Sequence, residues 1–353
     1  MIASPEHLLQ TAIAPQAAQL DRDPKALHQA FQTLGNHNLL GLKVKKEAGG
    51  QAWSSQAGYQ FTEQLARYSG ALAFLQSQHQ RCVQELAASN NLRLQQLYLK
   101  AAIQGQVGLG VGFSHLRRVQ QPVTATATTD GYVFNGTVPW LTGFGIFQHW
   151  LLAAQLPDGR AVFVLAPFYA IEGALSFSPP MSLAAMGSTQ TVTVTLNRWV
   201  APHDLVLDIK PAGWIHSVDA TYPLTHNFFA LGCAQAGLDI LSQAQTSMFP
   251  AIAETYSLLN AELDRCRAET YAAAPSVQRL QLRAWAIDLA VRCAHGAVIV
   301  SRGAANYDHH PAQRVYREAL AFSVSGQNNA VMNASLAHIR RQTPAAKRLI
   351  KSH

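Results

Sequence analysis

Apolar positions near the N-terminus recur with the period of a helix. The stretch from Ser54 to Tyr68 begins with two serines suited to capping, and the stretch from Ala71 to Ala88 repeats the same spacing. Before them, Glu47–Gly50 ends in paired glycines, which permit positive φ and predict a turn. Residues 1–105 are therefore predicted to form an N-terminal helical domain.

The period changes to two near residue 107. Apolar and polar residues alternate from Val123, and Asp130-Gly131 and Asp158-Gly159 supply hairpin turns between alternating runs. Regular short strands with Asp-Gly turns favour a compact barrel or sandwich. Residues 106–205 are predicted to be a small antiparallel β-barrel.

A helical period returns near Tyr222. The predicted helices cover residues 222–247, 250–272, 276–302 and 311–339. Pro250, Pro275 and Pro311 each fall where a first helical turn accommodates proline. Short connections favour antiparallel neighbours, so residues 206–353 are predicted to form an up-and-down four-helix bundle.

Charge is unusually scarce in this chain of 353 residues. Only 13% of residues are charged and 48% are hydrophobic, against about 25% charged in an ordinary soluble domain. Either the surface is neutral and polar, or self-association covers part of it. We expect a homo-oligomer, a dimer or tetramer, whose contact face lies on charge-poor stretches of the bundle such as Ala284 to Val300.

Several other classes are disfavoured. No run approaches 18 uninterrupted apolar residues, so no membrane span is expected, and the first residues lack the pattern of a secretory signal. The four cysteines are scattered, which predicts neither a metal site nor a disulfide framework. The net charge of +7 admits an anionic partner, but no nucleic-acid-binding module accompanies it. A reduced, cytoplasmic protein is expected.

Five short segments carry a resemblance to one enzyme family. They are Glu47–Gly50, Leu97–Gly105, Asp130–Gly136 followed by Trp140-Leu141-Thr142, Val200–Pro202 and Tyr316–Ala319. In this order, with helices, a β domain and a helical bundle, the chain resembles the acyl-CoA dehydrogenase superfamily of flavoproteins over nearly its whole length. The resemblance implies a mainly α fold with a central β domain, and FAD as cofactor.

The segment Trp140-Leu141-Thr142 is where the resemblance places the flavin ring. Trp140 and Thr142 stand two apart in an extended segment, hence on one face. The resemblance implies that the hydroxyl bonds near the reactive nitrogen of the ring and that the aromatic side chain packs on it, with Leu141 between them. Without the resemblance, a tryptophan in this setting is a core aromatic residue.

The segment Phe113–Arg118 stands where the family has a Thr-Glu-Pro loop. The resemblance assigns Phe113 and Ser114 to the flavin, Ser114 through its hydroxyl. The two arginines that end the segment fit phosphate contacts or a solvated face equally well. His115 fits either a core-edge histidine or a proton-handling group.

The sequence departs from the family where proton transfer and pyrophosphate binding are concerned. The positions of the family's glutamate fall on Gly326 and Asn227, neither of which accepts a proton, so the catalytic residue is left unknown. Arg302 can replace a cation at the flavin pyrophosphate, or simply stabilise a helix end. Other candidates are Asp219, His226, His309, His310 and Glu318, the last better suited to a structural ion pair.

The resemblance therefore implies an FAD-dependent oxidoreductase that acts on an acyl thioester or a related activated substrate, with flavin as hydride acceptor. Two alternatives remain open. One is a flavin-dependent monooxygenase of the same fold, which needs no α-proton base. The other is a flavin-free scaffold that acts as a binding partner.

Overall fold

The computed structural model describes residues 4–245, 248–272 and 276–342. Three helices of more than two turns lie in the N-terminal region: α1 (Pro24–Asn36), α2 (Ser55–Tyr68) and α3 (Gly70–Ala88). The predicted glycine turn is confirmed, because Gly49 takes a left-handed φ of 85° after a short 3₁₀ turn. Shorter helical turns cover Pro5–Leu8, Leu9–Ile13, Ala14–Gln16, Ala17–Leu20, Lys46–Ala48, Leu92–Leu94, Gln95–Leu99 and Lys100–Ile103.

The central region contains one sheet of eight strands. The strands are β1 (Leu109–Gly112), β2 (Val123–Ala127), β3 (Gly131–Leu141), β4 (His149–Gln155), β5 (Ala161–Pro167), β6 (Leu175–Phe177), β7 (Val192–Pro202) and β8 (Val206–Lys210). Both Asp-Gly hairpins are confirmed: β2 and β3 pair antiparallel around Gly131, and β4 and β5 around Gly159.

The predicted antiparallel barrel needs correction in its strand pairing. β1 and β2 each pair with β4 in parallel, because the chain crosses over between them instead of turning back. The neighbours run in the order β6-β7-β3-β2-β4-β5-β8, with β6 and β8 at the two ends of the sheet. Short 3₁₀ turns at Ser114–Arg117, Gly187–Thr189 and His203–Leu205 connect the strands.

The chain divides into two compact units, each with its own core. The first unit comprises Gln19–Gly58 and Ala71–Val218. Its core joins α3 and the helical turns of residues 92–103 to β4 and β5, with Cys82, Leu86, Leu151 and Phe163 buried among other apolar side chains. This core fixes the sheet, and with it the segments that carry Ser114 and Trp140.

The second unit contains residues 4–18, Tyr59–Gly70 and the chain from Asp219 onward. Its helices are α5 (Asn227–Gln243), α6 (Pro250–Tyr271), α7 (Ser276–Ser301), α8 (Pro311–Val324) and α9 (Asn329–Gln342), preceded by α4 (Trp214–Thr221), which crosses the boundary. Pro250 and Pro311 lie in first helical turns, as predicted. Pro275 lies outside the described residues.

The helix predicted over residues 311–339 is wrong in its continuity. It is two helices, α8 and α9, separated at residues 325–328. Ser325 leaves the helical conformation with ψ of 125°, and Gly326 follows with φ of 60°. A glycine in the left-handed region ends a helix at little cost, so the break has a local cause.

By length and composition alone, one helical stretch of the described chain, Gln278–Asn306, could cross a membrane. Core helices of soluble proteins pass the same test. Only 39% of its most apolar window is buried inside the protein, so much of an apolar helix surface is left uncovered.

Candidate functional site

The segment Trp140-Leu141-Thr142 lies at the end of β3. Trp140 keeps 50% of its surface exposed, Leu141 is fully buried and Thr142 is buried. The Thr142 and Thr191 hydroxyl oxygens lie 3.0 Å apart, one donating to the other. The segment therefore offers an aromatic surface to a ligand, while its threonine is anchored inside the protein.

A strained turn supports this anchor. Met186 and Gln190 both adopt left-handed conformations on either side of the turn Gly187–Thr189, although neither is glycine. Such a conformation costs roughly 1–2 kcal/mol per residue, so the surrounding contacts must hold it. Thr189 Oγ1 donates to the Met186 carbonyl at 2.7 Å, and the Gly143 N–H donates to the Thr189 carbonyl at 2.8 Å. The turn thus fixes the chain directly after Thr142.

Phe113 and Ser114 follow β1 and behave differently. Phe113 belongs to the core, with its ring centroid 5.7 Å from Phe163 and 5.9 Å from Trp214, whereas Ser114 is exposed. The residue before them, Gly112, cannot carry a Cβ, since that atom would come within 2.5 Å of the Trp150 ring. It would also lie 3.3 Å from Leu141 Cδ1, so the ends of β1 and β3 are packed together.

His115 is a core histidine. It is buried, and its Nε2–H donates to the Ala153 carbonyl at 2.9 Å. Burial lowers the pKa of His115 to about 4, since the charged imidazolium would lose its hydration there. The side chain is therefore neutral at physiological pH, and the geometry matches the first of the two interpretations given to it above.

These residues fit a flavin ring in part. The half-exposed Trp140 ring and the exposed Ser114 hydroxyl can contact such a ring, and Phe113 can stiffen the segment that carries Ser114. Leu141 is fully buried, so it offers no surface to a ligand, contrary to the role that the resemblance implies. Thr142 must share the hydroxyl that it already pairs with Thr191.

Arg302 belongs to the second unit and lies just after α7. It is exposed, has a left-handed φ of 51°, and its guanidinium lies 5.4 Å from the centre of the Phe249 ring. A cation at the C-terminal end of a long helix is also stabilised by the helix dipole. The side chain is thus placed by structural contacts while its charge faces solvent.

Asn227 and Gly326, where the resemblance places the family's carboxylate, both adjoin His226. Asn227 follows it in sequence and is 1% exposed; its Nδ2 donates to Thr270 Oγ1 at 3.4 Å, and its Oδ1 has no hydrogen-bond partner among the described residues. A Cβ on Gly326 would lie 2.6 Å from His226 Nε2 and Cδ2. The imidazole therefore fills the space in which a side chain at position 326 would begin.

The buried carboxylates of the second unit are engaged elsewhere. Glu318 Oε2 accepts from Arg314 at 2.6 Å and Oε1 accepts from the Gly70 N–H at 3.0 Å. Glu63 accepts from Arg267 at 2.7 Å and from the Tyr271 hydroxyl at 2.8 Å. Both are therefore structural groups, as expected for Glu318.

The other two candidate histidines serve the entry to α8. His310 Nδ1 accepts from the Ala312 N–H at 3.2 Å and so caps the helix, and His309 is exposed beside Asp308. Within the described ranges, no group of three or more His, Cys, Asp or Glu side chains is placed to hold a metal ion.

The sequence offers His226 only as one of five candidates, and the contact with Gly326 follows from the structure. The sequence feature that points to this region is a glycine where the resemblance places the family's carboxylate. A histidine and an asparagine at the start of another helix accompany it. The sequence gives no signal that Thr189 and Thr191 anchor Thr142.

Comparison with known proteins agrees with this architecture. The family model for the N-terminal domain of acyl-CoA dehydrogenases matches residues 2–106. The mitochondrial isovaleryl-CoA dehydrogenase of Solanum tuberosum is 26% identical over 212 residues, which cover 56% of this chain and 50% of that protein. A probable acyl-CoA dehydrogenase of Mycobacterium leprae is 22% identical over 342 residues, covering 88% of this chain and 87% of the other. The butyryl-CoA dehydrogenase structure from Megasphaera elsdenii superimposes with a TM-score of 0.77 at 16% identity, over 96% of each chain.

The match over residues 2–106 and the similarity to acyl-CoA dehydrogenases along the chain confirm the resemblance to that superfamily. The fold of the chain consists of N-terminal helices, a central β-sheet domain and a C-terminal helical domain, as in that structure. The match to the Solanum tuberosum enzyme spans about half the length of that relative.

Proposed function

We propose that this protein is an FAD-dependent oxidoreductase that acts on an acyl thioester, with the flavin as hydride acceptor. The observation that carries the proposal is the half-exposed Trp140 at the end of β3, held in place by the buried Thr142–Thr191 contact. Relatives named isovaleryl-CoA and butyryl-CoA dehydrogenases support an acyl-CoA substrate. When bound, the flavin supplies a two-electron acceptor, and the protein supplies position and proton transfer.

The direct experiment is an anaerobic titration of the FAD-loaded protein with a series of acyl-CoA thioesters of different chain length and branching. Transfer of hydride bleaches the absorbance of oxidised flavin, so we expect bleaching by at least one thioester. The matched control is the corresponding free carboxylic acid, whose α proton is far less acidic. A protein that binds FAD but is bleached by no thioester would contradict the proposal.

A flavin-dependent monooxygenase is the second candidate. It is favoured by one observation: Asn227 and Gly326 provide no carboxylate, and the buried carboxylates Glu63 and Glu318 are held by arginines. This reaction needs reduced flavin and oxygen but no base for an α proton. Oxygen-dependent product formation after chemical reduction of the flavin, without anaerobic bleaching, would support this candidate over the first.

A further inference from the structure

The helix α9 carries an exposed apolar stripe, formed by Met332, Leu336 and Ile339. These side chains keep 42%, 53% and 56% of their surface exposed, respectively. Because they follow one another at spacings of four and three residues, they lie on one face of the helix. The stripe is therefore a continuous strip of apolar surface and not three scattered side chains.

Another face of α9 attaches the helix to the rest of the second unit. Val331 is 1% exposed, and His338 Nε2 lies 3.5 Å from Asp288 Oδ2 on α7. The Val331 N–H donates to Asn328 Oδ1 at 3.0 Å, which caps the start of the helix. The helix is thus packed and capped through other residues, and among the described residues nothing covers the stripe.

The sequence around the stripe is basic and contains no carboxylate side chain. Residues 319–353 include five Lys or Arg and no Asp or Glu. Arg340 and Arg341 are exposed in the last turn of α9. The other three basic residues lie outside the described part of the chain and are Lys347, Arg348 and Lys351. An apolar stripe with cations beside it and beyond it is the pattern of a helix that lies on an anionic lipid surface.

We propose that α9 binds the surface of an anionic phospholipid membrane. The stripe enters the boundary between headgroups and acyl chains, and the basic residues lie among the anionic headgroups. Such a helix lies in the plane of the interface, so the binding needs no membrane span. It is independent of the flavin and of the substrate.

The charge distribution favours a lipid surface over two other occupants. A second copy of the chain fits less well, because a symmetric contact through α9 brings the same basic residues of both copies together. A nucleic acid pairs with the cations but leaves the stripe in contact with water. An anionic lipid surface accommodates the charges and the apolar side chains together.

The first test is co-sedimentation of the protein with lipid vesicles. Vesicles of phosphatidylcholine that contain about 30% phosphatidylserine are compared with vesicles of phosphatidylcholine alone. We expect binding to the anionic vesicles at about 0.1 M salt and weaker binding at about 1 M salt, where charges are screened beyond about 3 Å. Equal binding to both kinds of vesicle, or binding to neither, would overturn the inference.

Point variants separate the stripe from the charges. Leu336→Ser removes the centre of the stripe, and since this side chain is half-exposed we expect the affinity for anionic vesicles to fall roughly five- to tenfold. Arg341→Gln removes one exposed cation and should lower the affinity about fivefold at low salt. Leu258→Ser is the matched control, at a leucine of α6 that is 67% exposed, and should bind like the wild type. Equal losses in Leu336→Ser and Leu258→Ser would contradict the proposal.

The second test adds a probe to the stripe instead of removing a side chain from it. Leu336→Trp introduces a residue type that membrane interfaces favour, and the difference between its emission and that of the wild type reports the new indole. We expect anionic vesicles to shift this emission to shorter wavelength, and to leave that of Leu258→Trp unchanged. Protein that sediments with vesicles without this shift would place the lipid contact elsewhere and overturn the inference.

Two further results would assign α9 to another occupant. Binding of duplex DNA that Leu336→Ser leaves unchanged, in the absence of vesicle binding, would assign the basic residues to a nucleic acid. A lower mass of Leu336→Ser than of the wild type by light scattering, again without vesicle binding, would assign the stripe to a second copy of the chain. Either result would overturn the proposal.

Discussion

At the scale of single residues, the end of β3 carries a buried, hydrogen-bonded threonine and a half-exposed tryptophan. Thr142 is buried and paired with Thr191, whereas Trp140 two positions earlier keeps half its surface exposed. The sequence predicts that both residues lie on one face of the strand, but the alternating pattern alone does not show which of the two side chains is buried. That depends on a turn some 45 residues further along, where Met186 and Gln190 adopt left-handed conformations that nothing in their side chains announces.

His115 gives a prediction at this scale. Its folded pKa of about 4 lies below the roughly 6.5 of an unfolded chain, so the unfolded state binds more protons between these values. Its contribution to stability is complete above about pH 6.5 and is lost as the pH falls toward 4. The amide of His115→Gln can keep the Ala153 contact but does not titrate. When the pH is lowered from about 6.5 to 5, we expect the free energy of unfolding of this variant to fall by roughly 2 kcal/mol less than that of the wild type.

Urea denaturation of both proteins across this pH range measures the difference. His79, which is also buried with a pKa of about 4, is present in both proteins and contributes equally. Parallel pH profiles for wild type and His115→Gln would show that His115 is not held neutral in the folded state.

At the scale of elements, the sequence predicts most helices and both Asp-Gly hairpins, because periodicity, proline and glycine act locally. Proline at first turns predicts the start of α6 and α8, and the alternation around Asp130-Gly131 predicts β2 and β3. Parallel pairing of β1 and β2 with β4 could not be predicted, since it joins strands distant in sequence. The sequence does not predict the break between α8 and α9, because apolar residues continue with helical spacing across Gly326.

The break itself can be tested with Gly326→Ala. The left-handed φ of 60° costs an alanine roughly 1–2 kcal/mol, and its Cβ must displace the His226 ring as well. We expect a loss of at least about 1 kcal/mol in the free energy of unfolding, measured by urea denaturation. Adding His226→Ala should recover the part due to the ring.

Gly303→Ala provides the control. A Cβ at Gly303 meets no atom within 4 Å, and its φ lies outside the left-handed range, so the change should stay within about 0.5 kcal/mol. Equal stability of the Gly326→Ala and Gly303→Ala proteins would contradict the conformation described for residues 325–328.

At the scale of the whole molecule, local sequence signals are sufficient for the fold class and insufficient for the site. The contact of His226 with Gly326 joins positions 100 residues apart, and only the packing of α5 beside the end of α8 creates it. The same holds for Glu318, whose bond from Gly70 spans 248 residues. The residue types indicate candidate chemistry, but the distances between these residues depend on the tertiary structure.

Exposed apolar helix faces in the second unit are a candidate cause of the low fraction of charged residues. Val291 and Ile299 on α7 are exposed eight residues apart, and Leu320 and Val324 on α8 are exposed four residues apart, so each pair lies on one helix face. The rings of His295 and Tyr316, 5.9 Å apart, connect the two helices. Exposed apolar faces of this kind mark interaction surfaces.

We propose that these faces bind a second copy of the chain. Light scattering coupled to gel filtration should give the mass of a dimer or tetramer, and Leu320→Glu should lower it. Leu97→Glu, which alters an exposed leucine of the first unit, is the control and should leave the mass unchanged. A monomeric wild-type protein would contradict the proposal.

The central claim is that this chain is a flavoprotein, and FAD binding tests it most directly. Purified protein should be yellow or should take up added FAD, as followed by quenching of flavin fluorescence. Trp140→Ala should weaken that binding by removing the exposed ring, with little effect on stability, whereas Tyr169→Ala, which removes another exposed aromatic side chain of the first unit, should not. Protein that releases no flavin on denaturation and takes up no added FAD would contradict the account and favour a flavin-free scaffold.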